Sequence, residues 1–537
     1  MAFIEINTNN LSRELRNAQT FIDNWAYVPG TSITGDYTKV YAFTSLDEFK
    51  NACGTKGPEG SPTFNYISGL LNSGIPVLFR RIACINQDQP TEQLGVIKAS
   101  HTFKTEATQQ QESIDLFKVE EKYGGTFGND IYITIKATTT FYWLEVYLKS
   151  TLLEKHKLFK VPTFVDGTPE EDRQLAINQL FLDTFSNSDF NSTLERINII
   201  LDSKFITGEY DATKFNITIP ISNQRLTGGK DFDENNVRDA LPETYKFIED
   251  KILYQPKFIT SGGYTDLDMD SNKDISTAMI NLSYKRQDCR ALIDLPLGTD
   301  ILDQQGYATD LGYQQLSDDQ VIPSASICAP WAWMQVGTEQ AWMPPSYIFL
   351  TVIGRDLSKG GEVYTPKAGI SNGQVTNIIK PEFEIGSTIA ESWQADNKVN
   401  INPIMKLTNS GKYVIAGNST LLMPETEAGE INAFQESSVD LTVIEIRRFV
   451  YNLGTELQYQ YNSQDAFEDF ALRTSEFLDK MESEGAVMDY EIFNMSTNAD
   501  PRTLKIKLNV YVTPTIKKIE INLNVAYGNI EVTGGEE

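Results

Sequence analysis

The chain has 537 residues, a length that predicts several domains of about 100–200 residues and not one hydrophobic core. Hydrophobic residues make up 40% and charged residues 22% of the sequence, which is typical of a folded globular protein and argues against a disordered one. Its 73 acidic residues outnumber the 46 basic ones, and the formal charge of −27 would repel phosphate backbones and anionic lipids. We therefore expect no nucleic-acid partner and no membrane contact.

The sequence offers little to build a catalytic site. His101 and His156 are its only two histidines, which removes most triad and proton-shuttle designs. No phosphate-binding loop motif, H-E-x-x-H motif or EF-hand loop is present. The cysteines (Cys53, Cys84, Cys289 and Cys328) are too widely spaced for a zinc site and are interpreted as buried thiols. We expect no enzyme activity, no catalytic residues, no cofactor and no metal.

The N-terminal half begins with an arm at residues 1–25, in which the apolar Phe3, Ile4 and Ile6 form a short, partly alternating patch around Glu5. A helix is predicted at 45–53, with Ser45 as cap and Glu48 three positions later, followed by a buried strand at 75–82. Residues 103–230 contain short β-type runs, such as 131–135 and 143–148, with one helical stretch near 170–184. This segment is interpreted as an inserted β-rich domain.

Residues 26–102 and 231–400 alternate helix-like and strand-like segments, which predicts a discontinuous central α/β domain. One of its strands, at 290–293, ends at Asp294. The remaining residues, 401–537, are predicted to form a C-terminal domain. The fold class is therefore α+β multidomain.

The C-terminal domain carries the clearest periodicity. Residues 464–484 predict an amphipathic helix that starts after Ser463 and stops at Gly485, with an acidic outer face that includes Asp465, Glu468, Asp469 and Glu476. Two alternating strands follow: one at 504–512, and one whose apolar positions are Ile519, Ile521, Leu523, Val525 and Tyr527. All five charged residues from Arg502 to Lys518 are basic: Arg502, Lys505, Lys507, Lys517 and Lys518.

The chain contains the series Pro344-Pro345-Ser346, Arg355-Asp356 and Thr365-Pro366-Lys367-Ala368-Gly369. It also contains the motifs Gly74–Arg81, Gly125–Asp130, Leu226–Asp231, Ile293–Pro296, Asn400–Ile404, Ala416–Leu421 and Arg447–Val450. In this order, along almost the whole chain, these segments resemble those of the contractile tail-sheath family, and the first series is the most specific. Ser419 stands where the family usually has arginine.

The resemblance implies a structural subunit that polymerises into a helical sheath of stacked hexameric rings around an inner tail tube. It also implies baseplate and tail terminator proteins as partners, assembly in a host bacterial cytoplasm and a place in a virion tail. Neighbouring subunits would exchange the strands containing Phe3, Ile4, Ile6 and Ile519–Tyr527. The acidic helix face would lie against the tube, and the five basic residues would serve contacts between subunits.

Two other classes stay open at this point. One is a non-contractile virion, baseplate or surface-layer protein with similar terminal strands. The other is a carboxylate-based hydrolase that uses the tryptophan-rich region around residues 329–345. The scarcity of histidine and the lack of a nucleophile motif argue against the hydrolase.

Overall fold

The protein is represented by a computed structural model. It describes residues 24–82, 97–104, 115–138, 141–159, 167–169, 171–172, 203, 205–210, 221–230, 234–266, 273–314, 321–394, 400–407, 411–423, 432–496 and 502–516. The chain divides into two compact units, Met1–Gln460 and Tyr461–Glu537, which we describe separately.

The first unit begins with two strands, two helices and a third strand. They are β1 (Ala26–Gly30), β2 (Val40–Phe43), α1 (Leu46–Cys53), α2 (Thr63–Asn72) and β3 (Val77–Arg81). The predicted helix and strand are confirmed here. Ser45 and Glu48 form a reciprocal capping box at the start of α1, which satisfies two of the free N–H groups at a helix start.

The β-rich segment follows, and its strands form two antiparallel sheets, β4-β5-β9 and β10-β6-β7-β8. Ser100 and Thr227 exchange backbone hydrogen bonds of 2.9 and 3.1 Å, so the chain enters and leaves this segment at one place. The strands are β4 (Ser100–Lys104), β5 (Asp115–Glu121), β6 (Ile131–Ala137), β7 (Phe141–Leu148), β8 (Thr151–Phe159), β9 (Ile206–Tyr210) and β10 (Ile221–Arg225).

The rest of the first unit alternates helices and strands. In chain order they are α3 (Glu234–Thr244), β11 (Phe258–Ile259), α4 (Asp274–Arg286), β12 (Arg290–Ile293), α5 (Ile301–Leu311), β13 (Tyr313–Gln314), β14 (Ala325–Ala329), β15 (Ala332–Val336), β16 (Glu339–Met343), α6 (Pro345–Leu357), α7 (Gly369–Asn372), β17 (Gln374–Val375), β18 (Ile378–Pro381), α8 (Ser387–Gln394), β19 (Ile401–Lys406), β20 (Tyr413–Ile415), β21 (Leu422–Met423) and α9 (Ser437–Leu457).

A nine-stranded sheet in the order β17-β20-β19-β14-β12-β11-β1-β3-β2 forms the centre of this unit. From β3 to β19 the neighbouring strands run parallel. All five residues of β1 are buried, because the sheet is covered on both faces. Tyr27 packs with residues of α3, α4 and α5 on one face. On the other face, Phe79 contacts Phe49 of α1, with ring centroids 5.7 Å apart.

The second unit contains a helix and a hairpin: α10 (Gln464–Ser483), β22 (Val487–Asn494) and β23 (Ile506–Val512). The predicted helix is confirmed, since Ser463 caps α10 and accepts a hydrogen bond from the Ala466 N–H. Residues 401–460, which the sequence placed in the C-terminal domain, fall in the first unit, because β19 pairs with β14 in the central sheet. The other predicted domain boundaries stay predictions.

Most of the cysteines and tryptophans lie in the described part of the chain. Cys53, Cys289 and Cys328 are free and buried, as expected, whereas Cys84 lies outside the described residues. Trp331 and Trp393 are buried anchors. Trp333 and Trp342, which belong with Trp331 to the tryptophan-rich region, form a half-buried cross-strand pair on β15 and β16.

Candidate assembly interface

The carboxyl edge of a parallel sheet is where α/β proteins usually bind ligands. Here that edge is filled by its own side chains. The Thr31 hydroxyl, just after β1, shares hydrogen bonds with the hydroxyls of Ser61 (2.7 Å) and Tyr264 (2.9 Å). After β12, Asp294 accepts hydrogen bonds from the backbone N–H (2.7 Å) and hydroxyl (2.5 Å) of Ser346 in α6. Thr31, Tyr264, Asp294 and Ser346 are buried, so this edge packs as core.

Burial raises the pKa of Asp294 from 3.8 to about 7, and the hydrogen bonds from Ser346 offset only part of that effect. The unfolded chain therefore releases the Asp294 proton at lower pH than the folded chain does. Below the unfolded pKa this carboxyl favours neither state. Between about pH 4 and pH 7 its contribution becomes increasingly destabilising as pH rises, and it is constant above that window.

We expect Asp294→Asn to remove this pH dependence. The variant should gain stability relative to the unmodified chain as pH rises from 5.5 to 8, by an amount on the order of 1–3 kcal/mol. Thermal melts followed by circular dichroism at several pH values measure the difference. Asp239→Asn, an exposed change on α3 with the same loss of charge, is the control and should show a pH-independent difference. Parallel pH profiles for Asp294→Asn and the unmodified chain would contradict the assignment.

At the amino edge of the same sheet, α9 is held by buried charges. Arg290, the first residue of β12, is fully buried and donates through Nε to an Asp440 carboxylate oxygen at 3.0 Å. It also forms an ion pair with Asp440 through Nη2, and the Ser324 hydroxyl donates to the same carboxylate. A further ion pair joins Lys257, just before β11, to Glu445 of α9. These contacts fix the last helix of the first unit to the strand starts.

In the second unit, α10 buries Phe470, Thr474, Leu478 and Met481 and packs on β22. The Tyr490 hydroxyl of β22 donates to Asp479 of α10 at 2.6 Å, which ties hairpin to helix. The acidic residues predicted to face a tube are all exposed on α10: Asp465, Glu468, Asp469 and Glu476. The predicted basic residues within the described range are exposed as well: Arg502, Lys505 and Lys507.

In the part of the chain that the structure describes, the hairpin is open at both sides. β22 and β23 pair antiparallel over Val487–Asn494 and Ile506–Val512, and within the described residues their sheet contains no third strand. Each strand therefore presents an outer edge of backbone donors and acceptors. A two-stranded sheet is marginally stable alone, and such edges invite pairing with a further strand.

The residues predicted to exchange between subunits lie outside the described part of the chain: Phe3, Ile4, Ile6, Ile519, Ile521, Leu523, Val525 and Tyr527. The basic residues Lys517 and Lys518 lie outside it as well. Strand exchange stays a prediction. The described partner of β23 is β22. The sequence contains a strand pattern for β22, because Tyr490 and Ile492 alternate with the acidic Asp489 and Glu491.

No protein-family model matches the sequence, and no curated protein matches it significantly. Two solved structures are similar over nearly their full length. A sheath tail protein from Listeria innocua superposes with a TM-score of 0.59 at 11% identity, covering 92% of each chain. One from Desulfitobacterium hafniense gives a TM-score of 0.53 at 10% identity, covering 93% of this chain and 95% of the other.

The chain has the sheath tail protein fold. This likeness confirms the predicted resemblance at the level of the fold, including its mixed α/β, multidomain class. Among the described residues of this sheath fold, no helix is both long and apolar enough to cross a membrane. The same part of the chain holds no cluster of three or more potential metal ligands.

The most specific motif of the resemblance, which includes Asp356 and Lys367, has a structural role in this sheath fold. Lys367 is buried and pairs with Asp356 at the end of α6, and it donates to the Glu362 carbonyl at 2.6 Å. These contacts close the loop between α6 and α7. Ser419, the departure from the family pattern, is buried, and its backbone exchanges two 2.8 Å hydrogen bonds with the Asn402 side chain.

Proposed function

We propose that this chain is the structural subunit of a contractile tail sheath, which polymerises around an inner tube and contracts to drive the tube through a target cell envelope. Its action is mechanical and involves no catalytic step and no cofactor. The proposal is supported by the fold, since the likeness to sheath tail proteins extends over 92% of the chain. The buried carboxyl edge of the central sheet agrees with a structural role.

The observation that carries the proposal is the hairpin of β22 and β23, which is open on both sides within the described residues. The sequence supplies two alternating terminal segments, 3–6 and 519–527, that have the pattern needed to extend such a sheet. An extended strand covers about 3.3 Å per residue, so the C-terminal segment would reach roughly 30 Å. We infer that neighbouring copies donate these segments to the hairpin edges.

Mechanical continuity would then run through α9. The chain passes from α9 directly into the hairpin unit, and ion pairs of Asp440 and Glu445 fix α9 to the central sheet. A pull on the exchanged strands would therefore be transmitted through α9 to the central sheet. Contraction requires two alternative packings of subunits that stay linked, a change of the kind that bistable interfaces produce.

The tube contact is assigned to the acidic face of α10, since an inner tube with a basic outer surface would be complementary to it. The exposed basic residues Arg502, Lys505 and Lys507 are assigned to contacts with other copies. Baseplate and tail terminator proteins would bind the ends of the sheath.

Negative-stain electron microscopy of the purified full chain tests the proposal. We expect hollow tubes or striated polymers with a regular axial repeat, because a sheath subunit assembles with copies of itself. Uniform single particles at all protein and salt concentrations would argue for one of the other two classes. A hydrolase would be recognised by turnover of a glycoside or ester substrate.

A further inference from the structure

A cavity of about 200 Å³ lies between the end of α4 and the middle of α9. We call it the arginine pocket. Its lining contains four cationic side chains and a single carboxylate, a marked concentration of positive charge in a chain of formal charge −27. The lining residues are Lys251, Gln255, Arg286, Gln287, Asp288, Arg447, Arg448, Tyr451 and Asn452.

The carboxylate of the pocket is already neutralised. Arg286 is buried and donates from Nε and Nη2 to the two oxygens of Asp288, at 2.9 and 2.8 Å. Its Nη1 donates to the Ile248 carbonyl at 2.6 Å. The second buried arginine, Arg448, donates to the carbonyls of Pro256 and Gln255 at 3.3 and 3.2 Å. Both guanidinium groups are thus held in place by α4, α9 and the loop before β11.

Arg447 is exposed at the rim and is oriented by one neighbour. Its Nη1 donates to the side-chain oxygen of Gln287 at 2.8 Å and to the Gln287 carbonyl at 3.4 Å. Gln287 is itself fixed, because its Nε2 donates to the carbonyls of Tyr284 and Ile322 at 2.8 and 2.9 Å. Within the described residues these are the hydrogen bonds of Arg447, so its Nε and Nη2 are available as donors.

We propose that the arginine pocket binds the carboxylate of an acidic side chain on a second copy of this chain. Two parallel N–H groups of a pre-oriented guanidinium match the two oxygens of a carboxylate. The surrounding cations strengthen the attraction inside a cavity that is partly shielded from solvent. A second copy is the occupant that the charges favour, because Asp and Glu make up 73 residues of every copy. This inference rests on the proposed function.

Charge reversal at the rim tests the pocket in assembly. Arg447→Glu should raise the critical concentration for tube formation at least tenfold, about the effect of losing one charge-assisted contact. Arg447→Lys keeps the charge but loses the planar fork of the guanidinium. Its critical concentration should lie between those of the unmodified chain and Arg447→Glu. Lys359→Glu makes the same change of charge at an exposed site after α6 and should stay within about twofold of the unmodified chain. Circular dichroism melts confirm that each variant is folded.

A photo-cross-linking residue at position 452, an exposed position that also lines the pocket, identifies the occupant while Arg447 is kept. Tubes assembled from equal amounts of ¹⁴N- and ¹⁵N-labelled chains should give cross-links that join light to heavy peptides, with an Asp or Glu at or beside the linked position. Cross-links confined to single chains, or tubes from Arg447→Glu at the normal concentration, would overturn the pocket while leaving the sheath proposal intact. If the unmodified chain forms no tubes, the proposed function fails, and the pocket proposal fails with it.

Discussion

A chain that ends at Lys518 is expected to fold but to form no tubes. It lacks the alternating segment Ile519–Tyr527, which we propose pairs with an open hairpin edge of another copy. The proposed pairing would supply a row of backbone hydrogen bonds at every subunit contact, so its loss should lower the yield of polymer at least a hundredfold. Sedimentation and electron microscopy measure the yield, and circular dichroism measures the fold.

The matched control is a chain that ends at Tyr527, which keeps the segment and removes only residues 528–537. It should assemble normally. Removal of Met1–Asn7 should abolish assembly, as ending the chain at Lys518 should, since we propose that this N-terminal segment pairs with a second hairpin edge. Normal tubes from either deletion would show that subunits are linked by other contacts.

Local structure was the part of this fold that the sequence predicted well. The Ser45–Glu48 capping box and the Ser463 cap depend on residues within three positions of each other, and both are present. The strand that ends at Asp294 was also predicted, because an apolar run bounded by Asp and Pro is visible in the sequence. Signals of this kind depend on neighbouring residues alone.

The order of the central sheet could not be predicted, because it depends on pairing between distant segments. β1 lies between β3 and β11, with Ala26 opposite both Val77 and Phe258. The apolar pattern of Phe258 and Ile259 does not indicate which of the other buried strands will pair with them. The same difficulty hid the division between the units, since residues 401–406 look like an independent strand until β14 is seen beside them.

Only part of the candidate assembly surface could be predicted, because the rest also depends on contacts between distant segments. Exposed charges on α10 followed from helical periodicity, and the structure places them on the surface. The pair Arg447-Arg448 was visible only as a motif. Its two members have different environments, with Arg448 buried against carbonyls and Arg447 at a cavity rim, and that difference arises from the packing of α9 on the sheet.

Replacement of Arg290 by methionine is expected to destabilise the first unit by about 3–5 kcal/mol, the usual cost of leaving one member of a buried ion pair without its partner. Asp440 would remain in the core with hydrogen bonds from Ser324 but without its cation. Urea denaturation followed by tryptophan fluorescence measures the loss, because the six tryptophans all precede residue 461. Arg473→Met breaks an exposed pair with Asp469 and should change stability by less than about 1 kcal/mol.

The double variant Arg290→Met, Asp440→Leu separates stability from assembly. Apolar replacement of a buried ion pair is often neutral or stabilising, so the double variant should recover most of the loss seen in Arg290→Met. Full recovery of stability with normal tubes would mean that the pair serves folding alone. Recovery of stability without tubes would show that Arg290 and Asp440 fix the position of α9, through which we propose that tension passes from the exchanged strands to the central sheet. A single variant as stable as the unmodified chain would contradict the burial of the pair itself.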